Sequence, residues 1–208
     1  MQRIIYDLEF NTAFKIDRKT KQLKKGNAHP ECPQEIVEVG AVKLNDEYEV
    51  IDSFQIMVKP TLYQRMHPTI QKKTKITREI LDSGIFFPEA MKIFKEWIGD
   101  DPVQLCSWGM DDYNELKRNC DYHCIVMDLK ITWCDVQKMC MKVMEAPKGQ
   151  QVGLKKAVTH FGITMEERFH SALNDAVYTA KILEALERQK ESFENLGLLE
   201  GEKIANTN

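Results

Sequence analysis

Long apolar runs are missing from this sequence. No stretch approaches the ~18 consecutive apolar residues of a membrane span, so a transmembrane protein is not expected. Met1-Gln2-Arg3 runs straight into Ile4-Ile5-Tyr6. There is no signal-peptide core and no small-residue cleavage site, and the expectation is a cytosolic chain. The six cysteines (Cys32, Cys106, Cys120, Cys124, Cys134 and Cys140) include no second close pair at finger-like spacing. Cys120, His123 and Cys124 alone do not make a structural zinc site, and reduced thiols are expected. Excess positive charge is also lacking. The formal net charge over 208 residues is -3, which taken alone argues against a protein that coats nucleic acid by bulk electrostatics. No internal repeat and no low-complexity tract is present. What is present suits a folded chain: 43% hydrophobic and 29% charged residues argue for a buried core and against wholesale disorder.

The pattern predicts one domain over residues 1–192 and an acidic C-terminal tail over 193–208. Residues 3–9 read as a strand, 35–44 and 48–58 as a hairpin, and Val103–Ser107 as a fourth strand. Residues 124–129 are expected to be a fifth strand. Helices are expected at 68–74, 77–83, 88–98, 111–121, 131–145, 153–161 and 171–192. Residues 11–34 break all periodicity and read as a long surface loop, rich in Lys15, Arg18, Lys19, Lys21, Lys24 and Lys25 against Asp17 and Glu31. Strands linked as hairpins, followed by alternating helices and strands, imply an α/β or α+β sheet covered by helices.

Three stretches carry possible chemistry. Asp7 and Glu9, two apart on a strand, share one face, and two carboxylates on a central strand repel unless a divalent cation relieves them. Asp111 and Asp112 follow Trp108-Gly109 at the carboxyl end of a strand, where open α/β sheets place their sites. A helix N-cap or first-turn acid is the plainer role there. His170 precedes Asp175 by five residues at the start of the last helix.

Taken in order, these motifs resemble those of the DEDDh exonucleases, with closest similarity to the ERI-like and KapD-like subgroup. The likeness rests on Ile5-Tyr6-Asp7-Leu8-Glu9-Phe10, Pro33-Gln34-Glu35-Ile36-Val37-Glu38-Val39-Gly40-Ala41-Val42, Lys73-Thr74-Lys75-Ile76-Thr77, Ser107-Trp108-Gly109-Met110-Asp111-Asp112 and His170-Ser171-Ala172-Leu173-Asn174-Asp175-Ala176. It spans residues 4 to 186. It implies a ribonuclease H-like fold with a central five-stranded mixed sheet of order 3-2-1-4-5.

The resemblance further implies a 3′–5′ exonuclease that releases nucleoside 5′-monophosphates from single-stranded RNA or DNA. Asp7, Glu9, Asp112 and Asp175 would hold two Mg²⁺ or Mn²⁺ ions, with Asp111 the fallback for Asp112, and His170 would be the general base. Phe10, Asn11, Thr74, Ile76 and Trp108 are the substrate-binding candidates. Two positions depart from the subgroup: Asn11 stands where Thr is common, and Lys73-Thr74-Lys75-Ile76 replaces a Leu-Thr-Gly-Ile run. Lys59, Arg65, Lys72, Lys73, Lys75 and Arg78, with no acid among residues 59–78, form a candidate phosphate track. No obligate protein partner is expected. A proofreading subunit defined by a polymerase, and a nucleic-acid-binding adaptor without turnover, stand as the alternative readings.

Overall fold

The computed structural model describes residues 1–147 and 149–195. Its strands in chain order are β1 (Gln2–Thr12), β2 (Phe14–Ile16), β3 (Leu23–Lys25), β4 (Gln34–Leu44), β5 (Val50–Lys59), β6 (Ile85–Phe86), β7 (Val103–Ser107) and β8 (Ile131–Asp135). The helices are α1 (Pro68–Thr74), α2 (Arg78–Ser83), α3 (Phe87–Ile98), α4 (Asp111–Tyr122), α5 (Val136–Val143), α6 (Leu154–His160) and α7 (Ala172–Asn195). No described helix is long and apolar enough to cross a membrane.

The main sheet runs β6-β5-β4-β1-β7-β8. β1, β4 and β5 are antiparallel neighbours, while β7 and β8 join β1 in parallel. The five longer strands therefore take the expected order, and the two-residue β6 adds a sixth at the edge.

Strand alternation sorts the core onto the two faces of this sheet. Ile4, Tyr6, Leu8, Val39 and Ala41 pack with Phe87, Met91 and Phe94 of α3 and Leu116 of α4. Ile5, Val42 and Leu44 pack on the opposite face with Tyr178, Ile182 and Leu183 of α7. Burial of such side chains is worth roughly 1.5–3 kcal/mol each, and β1 contributes to both layers.

Helix starts follow local chemistry. Pro occupies the first turn of α1 and α3, where its missing N–H costs nothing. Thr77 and Asp135 cap α2 and α5 by accepting the N–H of Ile80 and Lys138.

Three expectations are corrected. The fifth strand is Ile131–Asp135, not 124–129. Residues 124–129 are irregular; Ile125, Met127 and Leu129 lie against the core while Val126 is 74% exposed. That alternation imitates a strand without joining the sheet. The helix expected over 131–145 is consequently shortened to Val136–Val143, begun by the Asp135 cap. The loop expected over 11–34 holds the end of β1 and the β2–β3 hairpin, paired as Phe14↔Lys25, Lys15↔Lys24 and Ile16↔Leu23. The acidic tail lies outside the described residues, apart from 193–195, which end α7.

Candidate active site

The site grows from the face of β1 that looks toward α7. Ile5, Asp7 and Glu9 share that face, and their partners across β4 are Val42, Gly40 and Glu38. β7 pairs with β1 only as far as Ile5, so both acids sit beyond the carboxyl end of this parallel pair. A bulge after Glu9 ends the regular register.

β7 leads into a turn at Trp108-Gly109. Gly109 has φ +91, and the Ser107 hydroxyl donates to its carbonyl at 2.7 Å. The turn starts α4, which buries Asp112 at 6% exposure. Neighbouring Asp111 is exposed.

α7 supplies the last acid. A Cβ added at Gly40 would stand 2.1 Å from the Leu173 nitrogen and 2.2 Å from the Ala172 carbonyl carbon. The start of α7 therefore rests on bare β4 backbone, directly opposite Asp7. That contact sets Asp175 at the carboxylate pair.

His170 precedes the helix with φ 65, a left-handed conformation that His tolerates better than most residues. Its backbone N–H donates to Asp175 Oδ2 at 3.1 Å. Asp175 Oδ1 is buried with no hydrogen-bond partner. One ligand atom from each of Glu9, His170 and Asp175 lies within 4.8 Å of the others.

The electrostatics are those of buried acids held together with little compensation. Burial, then the charges of Asp112, Asp175, Glu9 and Glu38, hold the Asp7 carboxyl well above the usual carboxylate range. Burial and neighbouring acids push Glu9 and Asp112 each up to about 8, and burial is the main cause that raises Asp175 to about 6. The metal-free site thus carries protons that hard cations would displace. An all-oxygen acidic set, with an orphaned buried carboxylate oxygen, fits Mg²⁺ or Mn²⁺.

The sign of the pH effect follows. These carboxyls keep their protons in the folded chain at pH values where the unfolded chain has lost them, so stability falls as pH rises from about 4 toward 8. Without metal, we expect Tm to drop by several degrees between about pH 5 and about pH 8, at roughly 2–4 °C per kcal/mol. Millimolar Mn²⁺ should restore it at the upper pH. A Tm indifferent to both pH and Mn²⁺, measured by calorimetry with and without chelator, would remove this cluster as a metal site.

The remaining candidates divide by burial. Asn11 is fully buried. Its amide donates to the carbonyls of Tyr63 (2.6 Å) and Arg65 (3.0 Å), and its oxygen accepts the His67 N–H (2.9 Å). Thr74 and Ile76 are also buried; the Thr74 hydroxyl donates to Ile70 O and accepts the Ile76 N–H. All three are spent on holding residues 63–76 in shape. Phe10 is half-buried against the core. Trp108 is half-buried too, its indole N–H donating to Val152 O at 3.1 Å. Lys72, Lys73 and Lys75 are exposed. Lys75 ends α1 at φ 64 with its N–H on Gln71 O, so a lysine adopts here the left-handed cap that glycine adopts without strain.

Two residues near the acids have roles that sequence reasoning missed. Glu38 is buried, accepts from Gln55 Nε2 at 2.6 Å, and presses on Asp7, Glu9 and Asp175. The available signal was its place opposite Glu9. Lys73 enters the sequence pattern only through its motif run and the phosphate track. Its ammonium is close enough to favour ionised Glu9 and, after burial, to lower the pKa of His170.

Residues 4–183 match the family model of the RNase T exonucleases. The chain belongs to that exonuclease family, and its fold is that of the DEDDh 3′-exonucleases. Among curated proteins it is similar to the probable 3′-5′ exonuclease KapD of Bacillus subtilis (strain 168), at 27% identity over 162 residues, covering 77% of each chain. A 66-residue stretch is 36% identical to the PolC-type DNA polymerase III of Staphylococcus haemolyticus (strain JCSC1435), covering 32% of this chain and 4% of that protein. In fold it is similar to the nuclease domain of 3′hExo, a DEDDh family member, bound to rAMP, with TM-score 0.74, 21% identity, and 90% and 92% of the two chains covered.

Proposed function

We propose that the enzyme shortens single-stranded RNA or DNA from the 3′ end, one nucleotide at a time, releasing nucleoside 5′-monophosphates. Asp7, Glu9, Asp112 and Asp175 are assigned to two Mg²⁺ or Mn²⁺ ions and His170 to the general base. The observation that carries the reading is the meeting of Glu9, His170 and Asp175 within 4.8 Å, beside the partnerless Asp175 Oδ1. Of the two adjacent acids, buried Asp112 rather than exposed Asp111 shares charge with Asp7.

When bound, the ions supply neutralisation of the scissile phosphate and of the departing 3′-oxygen. The chain's own groups do the rest. Burial, with the nearby Lys73 charge, lowers the pKa of the His170 imidazole. The ring is thereby neutral near pH 7 and able to accept the proton of an attacking water. The Asp175 carboxylate holds the backbone of residue 170, which aims that ring. Lys72, Lys73 and Lys75 meet backbone phosphates, and the partly exposed faces of Phe10 and Trp108 are available for stacking on a base. Asn11, Thr74 and Ile76 act by fixing the segment that carries these lysines. All six cysteines are free thiols, which supports placement in a reducing, cytosolic compartment.

The test is incubation of 5′-labelled RNA and DNA oligomers with Mg²⁺ or Mn²⁺. A descending ladder is expected, with nucleoside 5′-monophosphates as the small product. Internal cuts would replace this reading with an endonuclease. Retarded but intact oligomers would replace it with an adaptor.

A further inference from the structure

The β2–β3 hairpin has no part in the chemistry above, yet it is strongly basic and follows directly on the strand that bears Asp7 and Glu9. Its residues 14–25 carry six Lys/Arg against Asp17 alone. Asp17 is engaged by Lys24 at 2.7 Å. Lys15, Arg18, Lys19, Lys21 and Lys25 are exposed and make no ion pair among the described residues.

Two features of the pairing work against the hairpin as a free-standing element. Lys15 and Lys24 are direct partners across the two strands, an arrangement of like charges that destabilises a sheet. Ile16 and Leu23, also partners, are 47% and 40% exposed. A two-stranded ribbon is marginal in water even without such defects. Both defects suit a polyanion with apolar faces, whose phosphates would neutralise the lysines.

The hairpin is also fixed in place relative to the site. It begins two residues after β1 ends. Phe14 packs edge-on to His67 (5.4 Å between centroids) and lies under the Arg65 guanidinium (5.2 Å). Arg65 and His67 belong to the segment that Asn11 ties to β1. A cleft of about 330 Å³, lined by Thr12, Phe14, Asn27, Tyr63, Gln64 and Arg65 among others, opens at the hairpin's root. Arg65 and His67 thus stand between the lysines of α1 and those of the hairpin. From Glu9 to Phe14 is five residues of nearly extended chain, about 17 Å, or roughly five stacked nucleotides at ~3.4 Å each.

We infer that the β2–β3 hairpin is a second nucleic-acid contact, which grips the phosphodiester backbone of the strand several nucleotides upstream of the 3′ end being cut. This rests on the exonuclease reading above. It makes the enzyme sensitive to substrate length: a strand long enough to reach the hairpin binds tightly, and a dinucleotide gains nothing from it.

The test compares single strands of about twenty nucleotides, as RNA and as DNA, with dinucleotides, using the enzyme and its Lys15→Glu/Lys19→Glu/Lys25→Glu variant. For the long strand kcat/KM should fall about tenfold or more, and the log–log salt slope should flatten by roughly 0.7 for each phosphate that the hairpin no longer neutralises. Dinucleotide turnover should stay within about twofold, since that substrate is too short to reach the hairpin. The Lys→Gln version of the same triple should shift the same quantities by less. Equal reductions on both lengths would overturn the inference, as would no change on either, which would leave the surface to an acidic protein. Anisotropy of the labelled long strand, with Ca²⁺ replacing Mg²⁺, separates the two levels. Undiminished binding by the variant overturns the hairpin contact. A wild type that binds through the hairpin but never shortens the strand overturns the exonuclease reading alone.

Discussion

His170→Ala is expected to lower turnover by roughly 10²–10⁴-fold, the range a positioned general base contributes. Mn²⁺ affinity and oligonucleotide binding should stay close to wild type. The distinction matters because the imidazole stands within ligand reach of Glu9 and Asp175. If it were a metal ligand, titration calorimetry would show Mn²⁺ affinity falling in step with turnover. If it were neither base nor ligand, activity would survive. The backbone bond from residue 170 to Asp175 Oδ2 does not depend on the side chain, so the loop should keep its path. Alanine at φ 65 carries strain of ~1–2 kcal/mol. Asparagine enters that conformation more readily, so His170→Asn should lose the same activity while melting nearer to wild type. Single-turnover rates with metal and substrate saturating would isolate the chemical step.

Gly40→Ala is the second large effect, and it involves no reacting group. The new methyl would stand 2.1–2.2 Å from the backbone of Leu173 and Ala172, where no rotamer change gives relief. Either β4 or the start of α7 must move. Overpacking of this kind costs ~1–3 kcal/mol, and because the clash is with main chain the upper end is expected. That corresponds to a fall in Tm of roughly 5–10 °C for a chain of this size. The displacement carries Asp175 and the residue-170 loop away from Asp7 and Glu9. A shift of about 1 Å in a catalytic group can cost 10²-fold, so activity should fall by at least that much at temperatures where the variant is still folded. Wild-type melting and turnover would show that the helix does not rest on this backbone.

The helices with explicit punctuation were legible from sequence. Pro68 and Pro88 mark the starts of α1 and α3 to within a residue. β1 and β4 were legible because their long apolar runs serve both faces of the sheet. The fifth strand was not, since two neighbouring segments both alternate. Ile125, Met127 and Leu129 alternate because the chain skims the core edge. Ile131, Trp133 and Asp135 alternate because they join β7, and only the pairing Leu105↔Trp133 tells them apart. Strands as short as β2 and β3 leave too few residues for a period to register.

At the site, the spacing of Asp7, Glu9, Asp112, His170 and Asp175 was readable. What each stands near was not. Glu35 and Glu38 look alike on paper. The first accepts the backbone N–H groups of Thr61, Leu62 and Tyr63 and belongs to a loop; the second is opposite Glu9. The substrate-pocket candidates fared differently again. Asn11 and Thr74 sit at motif positions, and only the hydrogen bonds reveal that their polar groups are already taken.

The seating of α7 on Gly40 has a consequence for the order in which the site is assembled. Chains are synthesised from the N-terminus, and domains fold as their residues emerge. The strand bearing Asp7 and Glu9 precedes the other described elements, whereas the helix bearing Asp175 is the last of them. A nascent chain with β1 and β4 paired would present Asp7, Glu9 and Glu38 and an empty groove over Gly40, without Asp112, Asp175 or His170. Among the described elements, the acidic cluster is thus complete only once α7 has been made and seated on Gly40.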